Sequence, residues 1–415
     1  MKVIEYNKAA GNKLLKRLEG AAFPPDKVAA VRKIVEEVRR RGDAALRDFT
    51  RKYDGAKLKL FAVSPEEIRS ARKSLTPELR GALRRAEKNI ADFYRPTRER
   101  SWRRGRGDGL EWGEKVTPVD SAGIYVPGGK APLVSTVFMA AVPARLAGVP
   151  RIVIVTPPGK DGSVNPFVMV AADFLGIKEI YKIGGAQAVA ALAFGTRTIP
   201  RVDMIAGPGN IYVTLAKKEV FGTVGIDSLA GPSEVAILAD GKADPDYIAA
   251  DLLAQAEHGP GGAAILITAS KRLISAVKAA LEKFASRTME GEISLVRVRS
   301  LSEGIGLVNR IAPEHLEVMT AQPEKAVEKI RNAGAIFIGE MSPVAAGDYV
   351  AGPSHVLPTG GAARFSSPLS VNDFLKKSSL IRYDRRALKK DFSALETLAR
   401  LEGLDNHLLS ARIRL

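Results

Sequence analysis

From Gly123 onward, short apolar runs rich in β-branched residues alternate with amphipathic segments. The runs are GIYV at 123–126, RIVIVT at 151–156, KEIYKI at 178–183, VDMIA at 202–206, EVAIL at 234–238 and AAILIT at 263–268. Alternation of this kind indicates parallel sheets joined by crossover helices. One turn recurs in three versions, Ala206-Gly-Pro-Gly-Asn210, Ala230-Gly-Pro-Ser-Glu234 and Ala351-Gly-Pro-Ser-His355. The first two flank a candidate break near 228–235, which fits two α/β halves meeting at a cleft. Ligands of open α/β sheets bind beyond the carboxyl ends of strands, where such glycine turns sit.

The N-terminal third reads as helical. Val28, Val31, Val35 and Val38 recur at helical spacing beside Ile34, with Asp26 as a cap and Gly42 as a stop. More helix is expected at about 43–54 and 76–94. This part carries much of the net charge of +17, in Arg39 to Arg41, Arg84, Arg85, and a run from Arg95 to Arg106 interleaved with Phe93, Tyr94 and Trp102. Stacking aromatics beside a cationic groove would suit a single-stranded nucleic acid. The arginines also alternate with helix-forming stretches, Glu99 and Asp108, as on the solvated face of a helix and the loop after it. No nucleic-acid module accompanies them, so the expectation is no nucleic-acid partner. The first residues lack the apolar core of a signal peptide, and the most apolar stretch, 133–149, is broken by Pro143 and Arg145. A cytoplasmic protein with no membrane partner is expected. With 415 residues the chain has room for two or three domains. It contains no cysteine, which excludes disulfides, thiolate catalysis and cysteine-based zinc sites.

Any metal is therefore held by nitrogen and oxygen, and the chain has four histidines, His258, His315, His355 and His407. Each sits among carboxylates, amides, glycines or prolines, as in an enzyme with one polar site. Gln255 and His258 are three apart on a helix expected over 243–258, so both can face one ion. Asp348, in a glycine-bounded turn, could supply negative charge, and His407 could complete the shell. Such a set suits zinc or a neighbouring divalent ion, removable because no thiolate holds it. Glu314-His315 differs in kind. Pro313 suits the first position of a helical turn, which would put both residues near its positive end. That field would keep the imidazole neutral, as a general base requires, and two adjacent acceptors permit two deprotonations in one site. Gly207-Pro-Gly209-Asn210 precedes a helical stretch, and Gly184-Gly185-Ala-Gln187 follows a strand. The third glycine of the dinucleotide fingerprint is missing, so phosphate contacts and tight structural turns both remain open.

Longer motifs narrow the choice. GIYVPGG at 123–129, IGGAQAVAALAFGT at 183–196, AGPGNIYV at 206–213, GPSEV at 231–235 and LLAQAEHG at 252–259 closely resemble the histidinol dehydrogenase family. So do VEEVRRRGDAALRDFTRKYDG at 35–55, APEHLEV at 312–318, AGPSHVLPTGGAARFSSPLSV at 351–371 and EGLDNHLLSAR at 402–412. The resemblance runs in one order over nearly the whole chain. It implies a cytoplasmic homodimer with one Zn2+ per subunit, which oxidises L-histidinol to L-histidine through bound L-histidinaldehyde with two NAD+. It further implies Gln255, His258, Asp348 and His407 as metal ligands that also meet substrate, His315 as base for the alcohol, and Glu314 as the activator of water. Ser233, Glu402 and His355 would contact substrate, and Tyr125, Gln187 and Asn210 would line the NAD site. The expected architecture is α/β, with two Rossmann-like domains whose parallel sheets meet at a cleft. A helical region, 1–110, would pack on the second domain; the two α/β domains would cover 111–233 and 234–378. A helical tail, 379–415, would complete the partner subunit's site. Gly259 stands where the family commonly has an acid and Asn406 where a small residue is usual, neither removing a ligand. A metallohydrolase would use a similar His/Asp site with a Glu–His pair. Dehydrogenases of other amino or sulfonated alcohols are nearer rivals, against which Glu314 and Glu402 beside four histidines argue for histidinol.

Overall fold

The computed structural model describes residues 1–18, 23–128, 133–257, 261–284 and 291–415. The chain opens with strand β1 (Lys2–Glu5) and helix α1 (Lys8–Leu18). Helices α2 (Pro25–Arg41), α3 (Asp43–Phe49), α4 (Pro65–Ala71) and α5 (Pro77–Tyr94) follow, then strands β2 (Trp102–Gly105) and β3 (Leu110–Pro118). The first parallel sheet contains β4 (Ser121–Tyr125), β5 (Arg151–Thr156), β6 (Glu179–Lys182), β7 (Met204–Ala206) and β8 (Gly225–Ile226). Its crossovers carry α6 (Val134–Ala147), α7 (Pro166–Phe174), α8 (Gly185–Phe194) and α9 (Ile211–Val220). The second parallel sheet contains β9 (Glu234–Ala239), β10 (Ala263–Thr268), β11 (Glu292–Arg297), β12 (His315–Met319) and β13 (Ala335–Ile338), with β1 added at its edge. Between these strands run α10 (Pro245–Ala256), α11 (Lys271–Phe284), α12 (Leu301–Ile311) and α13 (Pro323–Val327). The chain closes with α14 (Val344–Tyr349), β14 (Leu375–Tyr383), α15 (Arg385–Leu401) and α16 (Asp405–Arg412).

The two sheets are wound alike, in the orders β6-β5-β4-β7-β8 and β11-β10-β9-β12-β13, each starting in the middle and reversing once. All their pairings are parallel. Helices cover both faces, so the strands are near-continuous apolar runs. In β9, Val235, Ile237 and Ala239 enter one core while Ala236 and Leu238 enter the other. The expected strands at 151–156 and 263–268 are β5 and β10 residue for residue, and the other four differ only at their ends.

Several expectations are corrected. Helices α2 to α5 pack on the first α/β domain, through Val31, Ile34, Val35, Val38, Leu83 and Ile90, and only β1 and α1 join the second. Asp26 does not cap α2; Pro24 occupies that position, because Pro25 starts the helix with its fixed φ. The segment from Val356 to Phe374, expected in the second domain, returns to the core of the first. Tyr94 fastens it, donating to the Leu369 carbonyl at 2.7 Å and accepting from the Ser354 amide at 2.8 Å. A third sheet, antiparallel β14-β3-β2, was not expected at all. It takes the first residues of the supposed helical tail and part of the arginine-rich segment. Trp102–Gly105 is exposed throughout, and β14 is mostly exposed, so neither has the apolar alternation by which a strand is read. Its arginines pair locally, Arg106 with Asp108 and Asp391, and Arg95 with Asp92. Among the described residues no helix is long and apolar enough to cross a membrane.

The turn after β7 is held from beneath by a buried ion pair. Lys217 Nζ donates to Asp227 Oδ1 at 2.6 Å and to the Gly207 carbonyl at 2.5 Å, while Asp227 Oδ2 accepts from the Gly207 amide at 2.8 Å. Gly207 has φ +116, and a Cβ there would lie 2.2 Å from the Tyr125 carbonyl oxygen. Only glycine fits such a conformation and approach. Lys217→Met should leave Asp227 charged, buried and unpaired, costing about 3–5 kcal/mol of stability. Urea unfolding checks this, and an unchanged midpoint would mean that the pair does not hold the turn.

Candidate active site

At the carboxyl end of the first sheet, β4 and β7 diverge at the switch point, and the loops after β4, β5, β6 and β7 open a crevice. Tyr125, Gln187 and Asn210 all line it, with Pro127, Gly128, Pro157 and Gly185, in a cavity of about 580 Å³. Tyr125 ends β4, its hydroxyl accepting from the Gly185 amide at 3.0 Å, and burial pushes the phenol up to about 12. Asn210 caps α9, accepting from the amides of Tyr212 and Val213. Both glycine turns therefore stand where the expected strand-to-helix turns required them. The N-terminal helices supply Ala30, Ile34, Tyr53 and Asp54 to the same crevice. Burial lifts the Asp54 carboxyl to about 6. Sequence reasoning left Asp54 unassigned, although it lies in the motif at 35–55, because nothing local says that α2 and α3 reach over the sheet.

A second cavity lies between the domains. Ser135, Pro208 and Gly209 of the first domain face Ser233, Glu314, His315, Asp348, His355 and Thr359. The turn 207–210 thus borders both cavities, with Asn210 in the crevice and Pro208 and Gly209 in the chamber. In the second sheet the polar residues cluster at the amino ends of β9 and β12, opposite to the carboxyl-end rule that holds in the first sheet.

Glu314 and His315 do not sit in a helical turn. Ala312, with φ +51, ends α12, and Pro313 leads into β12, whose first residue is His315. The helix end adjacent in the chain is carboxyl-terminal, so its field has the opposite sign to the expected one. Carboxylates surround the ring instead. His315 Nδ1 lies 3.6 Å from Glu314 Oε2, and Nε2 lies 3.9 Å from Asp348 Oδ1.

Glu314 is locked by a residue that sequence reasoning missed. Glu234, first in β9, accepts the Glu314 amide on Oε1 at 3.2 Å and the Gly360 amide at 2.9 Å, while Glu314 Oε2 accepts the Glu234 amide at 3.1 Å. Both side chains are buried. Burial raises both carboxyls well above their ordinary range, Glu314's charge adding for Glu234 and Asp348's for Glu314. Its only sequence signal was a carboxylate opening an otherwise apolar strand.

The remaining expected residues are divided. Gln255 is buried on the last turn of α10, and its Nε2 donates to Ser233 Oγ at 3.0 Å, directing the amide oxygen elsewhere. The helix ends at Ala256, and His258 lies outside the described residues, as does Gly259. Asp348 belongs to the short helix α14, not to a free turn. His355 Nε2 is 2.9 Å from Ser135 Oγ, placing it against the chamber. Glu402, just after α15, and His407, in α16, are exposed, and neither borders the chamber. Among the described residues, consequently, no group of three or more His, Asp or Glu side chains is placed to hold a metal ion.

A crevice at the switch point of one parallel sheet, beside a chamber of proton acceptors across the turn 207–210, is the arrangement of a two-domain α/β oxidoreductase. The comparisons agree. The family model for histidinol dehydrogenase matches residues 22–415. A histidinol dehydrogenase of Synechococcus sp. is 53% identical over 397 residues, covering 93% of this chain and 92% of the relative. That of Geobacillus kaustophilus is 49% identical, covering 93% of both. The crystal structure of histidinol dehydrogenase from Elizabethkingia anophelis superposes with a TM-score of 0.94 at 35% identity, covering all of this chain and 98% of the other. The chain belongs to the histidinol dehydrogenase family.

The acid pair links stability to pH. A carboxyl raised in the folded state contributes stability fully below its unfolded value, near 4.5, and loses it as pH rises toward and through about 8. Glu234→Gln should remove the like charge beside Glu314 and flatten that decline. Thermal unfolding midpoints across the same pH range test this, and an undiminished slope would refute the coupling.

Proposed function

We propose that the chain oxidises L-histidinol to L-histidine in two NAD+-linked steps at one site, as a cytoplasmic zinc-dependent homodimer. The observation that carries this is the adjacency of Glu314 and His315 in a chamber separated from the dinucleotide crevice only by the turn 207–210. In the first step the His315 imidazole accepts the alcohol proton while hydride passes to the nicotinamide, giving L-histidinaldehyde. In the second, Glu314 in its ionised form accepts a proton from water as it adds to the aldehyde carbon, and the hydrate yields a second hydride and the carboxylate. Each oxidation reduces one NAD+, so the electrons balance at two NADH per histidinol. The chamber is lined from both domains, so the aldehyde is held by contacts on two sides between steps.

Gln255, His258, Asp348 and the partner subunit's His407 would hold the zinc ion. The donor set fits, since the Ser233 bond leaves the Gln255 amide oxygen for a cation and Asp348 borders the chamber. A bound zinc ion would stabilise the alkoxide and orient substrate. Ser233, His355 and the partner subunit's Glu402 would contact the amine and imidazole of the substrate. Two apolar surfaces support exchange of the tail between subunits. Leu398 and Leu401 of α15, Leu409 of α16 and Ile413 just after it are exposed, and so are Met341, Tyr349 and Phe365 on the second domain and the segment after it. Exposed large apolar side chains on both the tail and the second domain are what an exchanged tail would cover.

Two NADH should form per L-histidinol with no free aldehyde, and chelation should abolish turnover until zinc is restored. A single NADH, or full activity after thorough chelation, counts against the reading. His315→Ala should slow alcohol oxidation by about 10^2- to 10^4-fold, whereas Glu314→Gln should chiefly slow oxidation of supplied histidinal. Stopped-flow assays with each substrate separate these effects. Mixing inactive His258→Ala and His407→Ala subunits should restore part of the activity, because a heterodimer with exchanged tails has one intact site. Confirmed mixed dimers that stay inactive would refute the shared site.

A further inference from the structure

Glu317 is fully buried in the middle of β12, where every neighbouring strand position is apolar or small. Strand alternation puts it on the same face as His315 and Met319, and Met319 belongs to the core formed with α10 and α11. A carboxyl in such a core is costly unless each oxygen has a partner. Glu317 Oε1 accepts the Val344 amide at 3.1 Å, at the first residue of α14. Among the described residues no donor reaches Oε2, and the carboxyl of Asp251 on α10 lies within hydrogen-bonding reach of the Glu317 side chain. Two carboxylates can bond only with a proton between them. Burial, then the Asp251 charge, raises the Glu317 carboxyl, the direction that favours one proton shared between the two side chains.

Each partner stands four residues before an expected zinc ligand. Asp251 precedes Gln255 by about one helical turn, Val344 precedes Asp348 by about one turn, and Glu317 itself follows His315 by two residues on one strand face. We propose that Glu317 is a positioning residue that sets the spacing between the catalytic base His315 and the zinc-ligating side chains Gln255 and Asp348, by tying β12 to α10 and to α14 through one side chain. The inference rests on the ligand assignment proposed above. It touches neither substrate nor NAD, so its effect is transmitted through the three elements.

The test compares three substitutions in the full-length protein. Glu317→Leu fills the space without either hydrogen bond; Glu317→Gln keeps an acceptor for Val344 and a donor for Asp251; Asp251→Ala removes the tie to α10 alone. Zinc affinity is measured by competition with a chromogenic chelator, and kcat and KM are measured separately for histidinol and NAD+. Glu317→Leu should weaken zinc binding by about 10- to 100-fold, as outer contacts of a metal site typically do, and should lower kcat with KM for NAD+ unchanged. Glu317→Gln should restore most of both, which a general loss of folding would not allow. Should the leucine variant not fold, Asp251→Ala carries the same test with a smaller loss in the same direction. Wild-type zinc affinity in the folded leucine variant, or in Asp251→Ala if leucine does not fold, would overturn the inference, as would a glutamine variant as impaired as leucine. Gln255→Ala and Asp348→Ala are measured alongside. If they lose zinc while Glu317→Leu keeps it, the positioning role fails and the ligand assignment stands; if they keep zinc, both fail.

Discussion

The exchange of backbone amides between Glu234 and Glu314 ties the amino ends of β9 and β12, the two strands at which the second sheet reverses direction. β9 and β12 are paired from Val235 and His315 onward, and the two acids lie just before that first pair. The polar ends are satisfied by the side chains themselves, each carboxylate accepting the other's N–H. The Gly360 amide joins the same oxygen, and Thr359 accepts from Gly231, so the segment returning to the first domain is pinned at the same place. Burial makes these bonds strong and the charges costly, so the pair retains a proton that a solvated pair would release. The Glu314 side chain is thus held in place by contacts that also tune its proton affinity.

Because the second sheet presents its amino ends, the two halves meet in opposite senses. The first sheet places a crevice beyond its carboxyl ends, and the second has its acidic residues at its amino ends. The turn 207–210 is the partition. Its backbone is fixed at Gly207 by the Lys217–Asp227 pair and by van der Waals contact with the Tyr125 carbonyl, so Asn210 on one side and Pro208 on the other are placed by one rigid element. Hydride transfer needs donor and acceptor within contact distance, and a stiff partition favours that geometry more than a mobile loop would.

Much of this was legible in the residues. Strands β5 and β10 announce themselves as unbroken β-branched runs, and Asn210 before IYVTLAKKEV marks the start of α9. The grouping of Tyr125, Gln187 and Asn210, and of Ser233, Glu314, His315, Asp348 and His355, followed from long motifs whose order matches the family. What the residues hid was non-local or unpatterned. The antiparallel sheet lies on the surface and leaves no alternation in KKSSLIR. The helices at 25–94 are amphipathic in any setting, so their periodicity cannot say which domain they cover. Pro313 favours a helical start and an extended strand entry almost equally, and Ala312 in the left-handed region decided for the strand.

The buried acids Glu234, Glu314 and Glu317 and the half-buried Asp54 and Asp251 share raised proton affinities that have burial as their leading cause. Apolar residues of similar volume at Glu317 or Glu234 would be expected to cost nothing or even to stabilise the fold. Each of these two acids bridges elements that a purely apolar core would leave free to slide: Glu234 joins β9, the start of β12 and the loop at 360, and Glu317 joins β12, α10 and α14. An apolar contact is non-directional and tolerates sub-ångström drift, whereas a hydrogen bond to a named amide does not. In the second domain these desolvated carboxyls stand where strands, helices and the returning loop meet, whereas the inward face of α11, with Leu273, Ile274, Val277, Ala280 and Leu281, is held by apolar packing alone.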